Sequence, residues 1–409
     1  MLKTVVLALC VIACSGLKSY DEYQVLRMEV VEKDKIQDIE PLAEIEELDF
    51  WNFPNDLMVP PSQLDSVKKY LYAKKIPFKV WIENVQDKID AQFTTTTQSM
   101  DAGNFNYTVY HPLDEIMNWI DLIVATYPDE ASKFSMGKSY EGRDLTCLKI
   151  GVDTGKVKRT VYIEGGIHAR EWVSPATVMY MTNELLYQSS IGNRGVIDIL
   201  EYYDIYVLTV TNPDGYDFTW TDERLWRKTR SPNEGQECLG TDANRNFDYM
   251  WGEPGASPLP CTSTYRGPSP FSEVETQAVE AFIANLQQTN AVDLFIDYHS
   301  YSQLVLSAWC YTADLPPDYP ELETSMKSYA DAVFARHGTN YTIGPGASLY
   351  ITSGDSVDWA YGSMGIAHSY CVELRDEGQY GFLLPEDQIL PCAEENYDGF
   401  VAMLNNLMP

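Results

Sequence analysis

The sequence is poor in positive charge. Its 409 residues hold 29 lysines and arginines against 60 aspartates and glutamates, a formal net charge of −31. A surface that acidic repels phosphate backbones and anionic lipid, so neither nucleic-acid binding nor a polybasic membrane anchor fits it. Long apolar runs are missing too. The stretch at 5–13 has nine residues, too few to cross a bilayer, and no later run is long enough. There is no C-x-x-C pair, which argues against a thiolate zinc site. Internal repeats and long low-complexity tracts are absent. Only five histidines are present, so any metal or acid–base centre draws on a short roster.

What is there fits a packed globular protein: 45% apolar and 22% charged residues. Lys3, the apolar run, and the small residues Cys14, Ser15 and Gly16 read as a secretory signal over 1–16. Residues 11–14 also resemble a lipoprotein-type signal. After signal removal six cysteines remain, at 147, 238, 261, 310, 371 and 392, which permits up to three disulfides in an extracellular chain. Asn106 and Asn340 each open an Asn-Tyr-Thr glycosylation sequon.

Residues 17–88 alternate as strands at 23–28 and 78–82, with a helix following Pro60-Pro61-Ser62, and predict a small α+β domain. Residues 89–104 contain the polar run 92–99 and read as a linker. From 105 to 409, helical patterns at 114–127, 174–187 and 272–285 alternate with buried-strand patterns at 145–150, 160–164, 203–211, 294–298 and 370–374. Ser272 with Glu275 forms a capping-box pattern. The alternation predicts an α/β domain: a mixed, mostly parallel sheet with helices on both faces.

His168 and Glu171 follow the strand at 160–164 and the pair Gly165-Gly166. Three positions apart, they share one face of a helical turn and can reach one ion. Glycine allows the sharp strand-to-helix turn. His299 ends another buried-strand pattern, 128 positions after Glu171. Ligands of open α/β sheets gather at the carboxyl ends of strands, where all three fall. Two imidazoles, one carboxylate and an open position describe a catalytic zinc site. His111, His337 and His368 have no such setting.

With these motifs the chain resembles the pancreatic-type (digestive, A/B-like) zinc metallocarboxypeptidases, which are secreted as proenzymes. The resemblance covers essentially the whole chain. It rests on the Gly165–Glu171 segment, Asn212-Pro213-Asp214-Gly215-Tyr216, Trp226-Arg227-Lys228-Thr229-Arg230, Asp242-Ala243-Asn244-Arg245-Asn246, His299-Ser300-Tyr301, the run 349–359, and Glu373-Leu374-Arg375-Asp376. It implies an eight-stranded catalytic sheet, one zinc ion on His168, Glu171 and His299, and Asp242 holding His168 from behind. Zinc would lower the pKa of its water toward about 7. Glu373 would be the general base, and Arg230 would polarise the scissile carbonyl and stabilise the oxyanion. Asn244 and Arg245 would clamp the terminal carboxylate of a peptide, with Tyr350 closing over it. Arg170, Arg227, Ser300, Tyr301 and Phe382 would line outer subsites.

The resemblance further implies a Cys238–Cys261 disulfide and places non-proline cis peptides at 300–301, 308–309 and 375–376, of which the first and third are expected here. Val357, at the base of the specificity pocket, implies an A-type preference for aromatic or aliphatic ends. Asp355 departs from the family's usual glycine and opens a basic, B-type alternative. Cys310 and Cys371 fall at pocket positions and could bond to each other, narrowing the pocket; Cys147 and Cys392 are unassigned. The first block would be an inhibitory propeptide, released by an activating protease. No lysine or arginine lies between Lys88 and Lys133, so the expected cut follows Lys88 with trimming to about 104–105, or a non-tryptic protease acts. A monomer secreted to the digestive lumen is expected. A non-catalytic secreted homologue would lack Glu373, Arg230 or a zinc ligand. A zinc amidohydrolase would lack the Asn244-Arg245 pair and the Tyr350 loop.

Overall fold

The computed structural model describes residues 17–29, 33–92 and 105–409; the signal at 1–16 and positions 93–104 of the linker lie outside the described residues.

The N-terminal unit comprises β1 (Gln24–Met28), α1 (Lys33–Ile39), β2 (Asp49–Asn52), β3 (Asp56–Val59), α2 (Leu64–Ala73), β4 (Phe78–Ile82) and α3 (Val85–Gln92). Its strands form an antiparallel sheet in the order β2-β3-β1-β4. One sheet face packs on α2 through Leu26, Leu57, Val59, Val67 and Leu71. The helix α3 runs across position 88.

The larger unit follows with α4 (Leu113–Thr126), β5 (Ala131–Lys138), β6 (Asp144–Ile150), β7 (Arg159–Gly165), α5 (Val173–Ser190), α6 (Arg194–Tyr202), β8 (Tyr203–Leu208) and α7 (Pro213–Thr221). It continues with α8 (Val274–Thr289), β9 (Val292–Ser300), β10 (Leu304–Ser307), α9 (Tyr319–His337), β11 (Thr342–Pro345), α10 (Ser356–Gly362), β12 (His368–Leu374) and α11 (Ile389–Leu407). Eight strands form one sheet in the order β11-β10-β12-β9-β7-β8-β6-β5. The pairs β12/β9, β9/β7, β7/β8 and β10/β11 are parallel; the pairs β10/β12, β8/β6 and β6/β5 are antiparallel.

Central strands are buried on both faces, which explains runs such as Val161-Tyr162-Ile163 and Leu294-Phe295-Ile296. One face packs on α4, α5, α6, α9 and α11, the other on α8 and α10. In α4, Leu113, Ile116, Trp119, Ile120 and Ile123 recur at helical spacing, and all are buried.

The capping box does not form: α8 starts after Glu273 without a side-chain cap. Ser272 Oγ instead lies 2.9 Å from Asn246 Nδ2, and the Glu275 carboxylate accepts the Tyr140 N–H. The Cys238–Cys261 disulfide is present. Peptides 300–301 and 375–376 are cis, as is 308–309. Cys310 and Cys371 are both free thiols, against the expectation that they could pair. The β10/β12 register sets Cys371 opposite Leu306, while Cys310 lies beyond the end of β10, so the two are not cross-strand partners. Cys147 and Cys392 are buried and free as well.

Candidate active site

Parallel pairing aligns the carboxyl ends of β7, β9 and β12. Beyond β7 the chain turns sharply at Gly166, whose φ is +65° and where a Cβ would meet the Pro175 ring at 3.0 Å. The turn is closed by the Glu171 N–H on the His168 carbonyl, so both side chains face one way. His299 is the next-to-last residue of β9, and the β12/β9 register places Glu373 directly beside it. Paired residues of parallel strands share a face, which brings Glu373 to the same rim.

The three ligand candidates are buried and converge. His168 Nδ1 is 2.8 Å from Glu171 Oε1, and His299 Nδ1 is 3.1 Å from both His168 Nδ1 and Glu171 Oε2. Each imidazole is held from behind: His168 Nε2 lies 3.0 Å from Asp242 Oδ1, and His299 Nε2 lies 2.9 Å from Asp297 Oδ2. With the proton on each Nε2, both Nδ1 lone pairs face the same point. Two such lone pairs and a carboxylate are satisfied together by one cation, a metal ion or, in its absence, a proton taken up on an imidazole. The nitrogen–nitrogen–carboxylate donor set is that of catalytic zinc.

Electrostatics follow from burial. Burial raises the Glu171 carboxyl, but His168 and His299 outweigh it and hold it below the ordinary carboxylate range. Asp242 is likewise penalised by burial yet held low by Arg227 and His168. Burial pushes the Glu373 carboxyl up to about 8, Glu171 and Asp297 adding to the rise while His299 and Arg227 oppose it.

Of the two arginines on the 226–230 segment, the structure brings the unexpected one to the centre. Arg230 is turned away: its guanidinium stacks over Phe218 at 3.6 Å and Trp226 at 4.5 Å, and Glu141 is its nearest carboxylate. Arg227 donates to Asp242 Oδ2 from Nε and Nη2, at 3.1 and 2.8 Å, and its Nη1 lies 3.8 Å from Glu171. The Ala169 N–H on the Arg227 carbonyl fixes this choice, because it docks that residue against the His168 turn. Position 230, three residues on, follows Lys228 and Thr229 out of the cleft.

Asn244, Arg245, Tyr350, Asp355 and Val357 line one pocket that opens onto His168, Arg227, His299 and Glu373. Arg245 is anchored by its Nε on the Gly255 carbonyl and its Nη1 on the Asn244 carbonyl. Leu306, Cys310 and Cys371 complete the walls. Asp355 is buried there as the N-cap of α10: Oδ1 accepts the Asp358 N–H and Oδ2 the Thr352 hydroxyl. Burial raises its carboxyl, and Asp358 beside it is pushed up to about 8 by burial and by Asp355.

An adjoining cleft is lined by Ser300, Tyr301 and Phe382 together with Trp51 and Asn52 of the N-terminal unit. Arg170 lies further out, its guanidinium 4.1 Å from the Phe382 ring and hydrogen-bonded to Asp49. Tyr301 donates to Asp56, which Arg27 holds in a bidentate pair. Phe53 packs edge-on to Tyr350. The N-terminal unit therefore sits over the cleft, with Asp49, Trp51, Phe53 and Asp56 against its residues. Sequence reasoning missed this group, and also Asp297; the signal for Asp297 was its place two positions before His299 on one strand.

Comparison with known proteins agrees with this geometry. Residues 116–399 match the family described as Zinc carboxypeptidase, and residues 26–92 match Carboxypeptidase activation peptide. The chain is 38% identical to carboxypeptidase A1 of Bos taurus over 97% of each chain. It is 45% identical to carboxypeptidase B of Astacus astacus, covering 73% of this chain and 97% of that one. The crystal structure of thrombin activatable fibrinolysis inhibitor superposes with a TM-score of 0.85 at 34% identity, covering 95% of this chain and 99% of the other.

Proposed function

The chain belongs to the zinc carboxypeptidase family, and from that premise we propose that it is a secreted proenzyme that removes the C-terminal residue of peptides, with a preference for aromatic or aliphatic ends. The observation that carries the reading is the convergence of the buried His168–Glu171–His299 triad with Glu373 at one strand rim, beside a pocket holding Asn244 and Arg245. Bound zinc supplies a Lewis acid and lowers the pKa of water.

The chain's own residues do the rest. Asn244 and Arg245 grip the terminal carboxylate, which an internal peptide bond cannot offer, so the site acts on chain ends. Glu373 takes the proton of the attacking water on its carboxylate and returns it to the leaving amine. Arg227, rather than Arg230, donates to the oxygen of the scissile carbonyl as it gains charge. Tyr350 covers the bound residue. Ser300, Tyr301, Arg170 and Phe382 hold the peptide leading away from the cut.

Val357, Leu306 and the two thiols give the pocket apolar walls, and both oxygens of Asp355 are engaged within the protein. These features support the A-type preference. A second reading, lysine or arginine ends, is favoured by the buried Asp355 in the pocket wall, with Asp358 buried beside it on the Cys310 and Tyr311 N–H groups and without a cationic partner among the described residues. Blocked dipeptides ending in Phe, Leu, Lys and Arg test both readings on the processed enzyme. The expected result is chelator-sensitive release of Phe and Leu at least tenfold faster than Lys and Arg. Faster Lys and Arg release, abolished in Asp355→Gly, would establish the second reading; no release of any residue would remove both.

The N-terminal unit is an activation-peptide domain, and its seat over the cleft supports inhibition by steric cover. The Lys88–Ile89 bond lies within α3, with Ile89 buried and Gln92 pinned to Arg224 and the Leu384 carbonyl. A cut there needs the helix to open. This favours an activating protease that cleaves within 93–104 without a basic residue, which N-terminal sequencing of the active form tests.

A further inference from the structure

The carboxylate behind His168 has its counterpart behind His299, on a different element. Asp297 stands two positions before His299 on β9, and alternate residues of a strand share a face. Its side chain is fully buried. Asp297 Oδ2 lies 2.9 Å from His299 Nε2 and accepts the Ser356 hydroxyl at 2.7 Å. Ser356 opens α10, the helix that carries Val357, and its backbone N–H donates to Asn244 Oδ1 at 2.8 Å.

A competitor for the same nitrogen stands close by. Asn244 Nδ2 is 3.2 Å from His299 Nε2. Because Asn244 Oδ1 is taken by the Ser356 N–H, the group facing the imidazole is the amide NH₂, a donor. Paired with Asn244, Nε2 would be an acceptor, and the imidazole proton would move to Nδ1, the nitrogen aimed at Glu171 and His168. Paired with Asp297, which can only accept, Nε2 keeps the proton and Nδ1 offers its lone pair.

We propose that Asp297 is a positioning residue for the metal centre: it decides the contest for His299 in favour of the ligating tautomer, and Ser356 anchors its carboxylate to the helix of the specificity pocket. The proposal rests on the zinc reading above and extends it to the contacts that make His299 a ligand. It also ties the metal to the pocket, since Ser356 hydrogen-bonds both Asp297 and Asn244.

The test is zinc affinity of the full chain, stripped and titrated with Zn²⁺ against a competing chelator. Asp297→Asn, nearly isosteric, is expected to weaken zinc binding about 10–100-fold, and Ser356→Ala, which leaves the carboxylate in place, several-fold. The Co²⁺-substituted Asp297→Asn protein is expected to show a shifted visible absorption band, while the melting point of the metal-free protein stays near wild type. A purely structural role would move the melting point and leave the cobalt band alone. Wild-type zinc affinity with an unchanged cobalt band in Asp297→Asn would overturn the proposal; if that variant does not fold, wild-type affinity in Ser356→Ala overturns it. Glu171→Gln separates the two levels of argument. If wild type holds no stoichiometric zinc, the zinc reading fails. If wild type holds zinc, Glu171→Gln loses it and Asp297→Asn does not, only the positioning role fails.

Discussion

Arg227 and Arg230 carry the same charge three positions apart, and only the fold separates their roles. The sequence places both in one motif, and nothing in the spacing says which guanidinium turns inward. The backbone bond from Ala169 to the Arg227 carbonyl decides it, and that bond joins segments 58 positions apart. The distinction is measurable. Arg227→Met is expected to lower kcat about 10²–10³-fold, the usual loss for one oxyanion donor, with zinc content retained. Arg230→Met is expected to change kcat less than tenfold, because its guanidinium lies on Phe218 and Trp226. Equal losses in the two variants would show that Arg227 is not the single oxyanion donor of the segment. The triad itself was legible for the opposite reason: His168 and Glu171 are local to one turn, and His299 sits at a strand end that apolar patterning marks.

A second residue-scale consequence lies far from the metal. Glu275 is buried at the start of α8 with Oε1 on the Tyr140 N–H and no hydrogen-bond partner for Oε2 among the described residues. Burial raises its carboxyl from 4.5 to about 7. The folded state then binds this proton more tightly than the unfolded chain, so the contribution to stability is complete below about pH 4.5 and is lost as pH rises through 7. Glu275→Gln cannot titrate and keeps an acceptor for Tyr140. Its unfolding free energy relative to wild type, read from denaturant melts, is expected to be higher at pH 8 than at pH 5, a swing on the order of 2 kcal/mol. A pH-independent difference would mean that Glu275 is charged in the folded protein.

At the scale of elements, the central strands were readable because burial on both faces leaves an unbroken apolar run. The strand at 78–82 was placed to the residue by its alternation. The short strands β10 and β11 were not, since four residues each carry too little pattern. The capping box at 272 failed because Asn246 and Tyr140, distant in sequence, claim its two polar groups; tertiary partners outbid a local motif.

The β2/β3 hairpin of the activation peptide was likewise invisible as an inhibitor until the fold placed it. Trp51 packs in one cluster with Tyr301 and Phe382, and Asp49 meets Arg170. Burial of one large aromatic at such a contact is worth about 3 kcal/mol, roughly a hundredfold in the ratio of closed to open states. Trp51→Ala in the uncleaved chain is therefore expected to raise chelator-sensitive activity at least tenfold over the wild-type proenzyme. The processed enzymes, which lack the hairpin, are expected to be identical. An uncleaved variant as silent as wild type would show that the hairpin does not provide the cover.

At the scale of the molecule, the zinc centre joins distant parts of the chain that only the assembled sheet brings to one rim. Its candidates come from the turn after β7 and the end of β9, with Glu373 on β12. Binding to an arrangement that exists only when the sheet is assembled adds directly to the stability of the folded state. At a free zinc concentration about 1,000 times Kd the gain is about 4 kcal/mol, which for a domain of this size corresponds to a melting-point rise of roughly 5–15 °C. Chelation is therefore expected to lower the main unfolding transition of the wild-type chain by that amount and to leave Glu171→Gln nearly unchanged. The same fall in both proteins would mean that the stabilising ion sits elsewhere, and no fall in wild type would mean that the triad is held by the sheet alone.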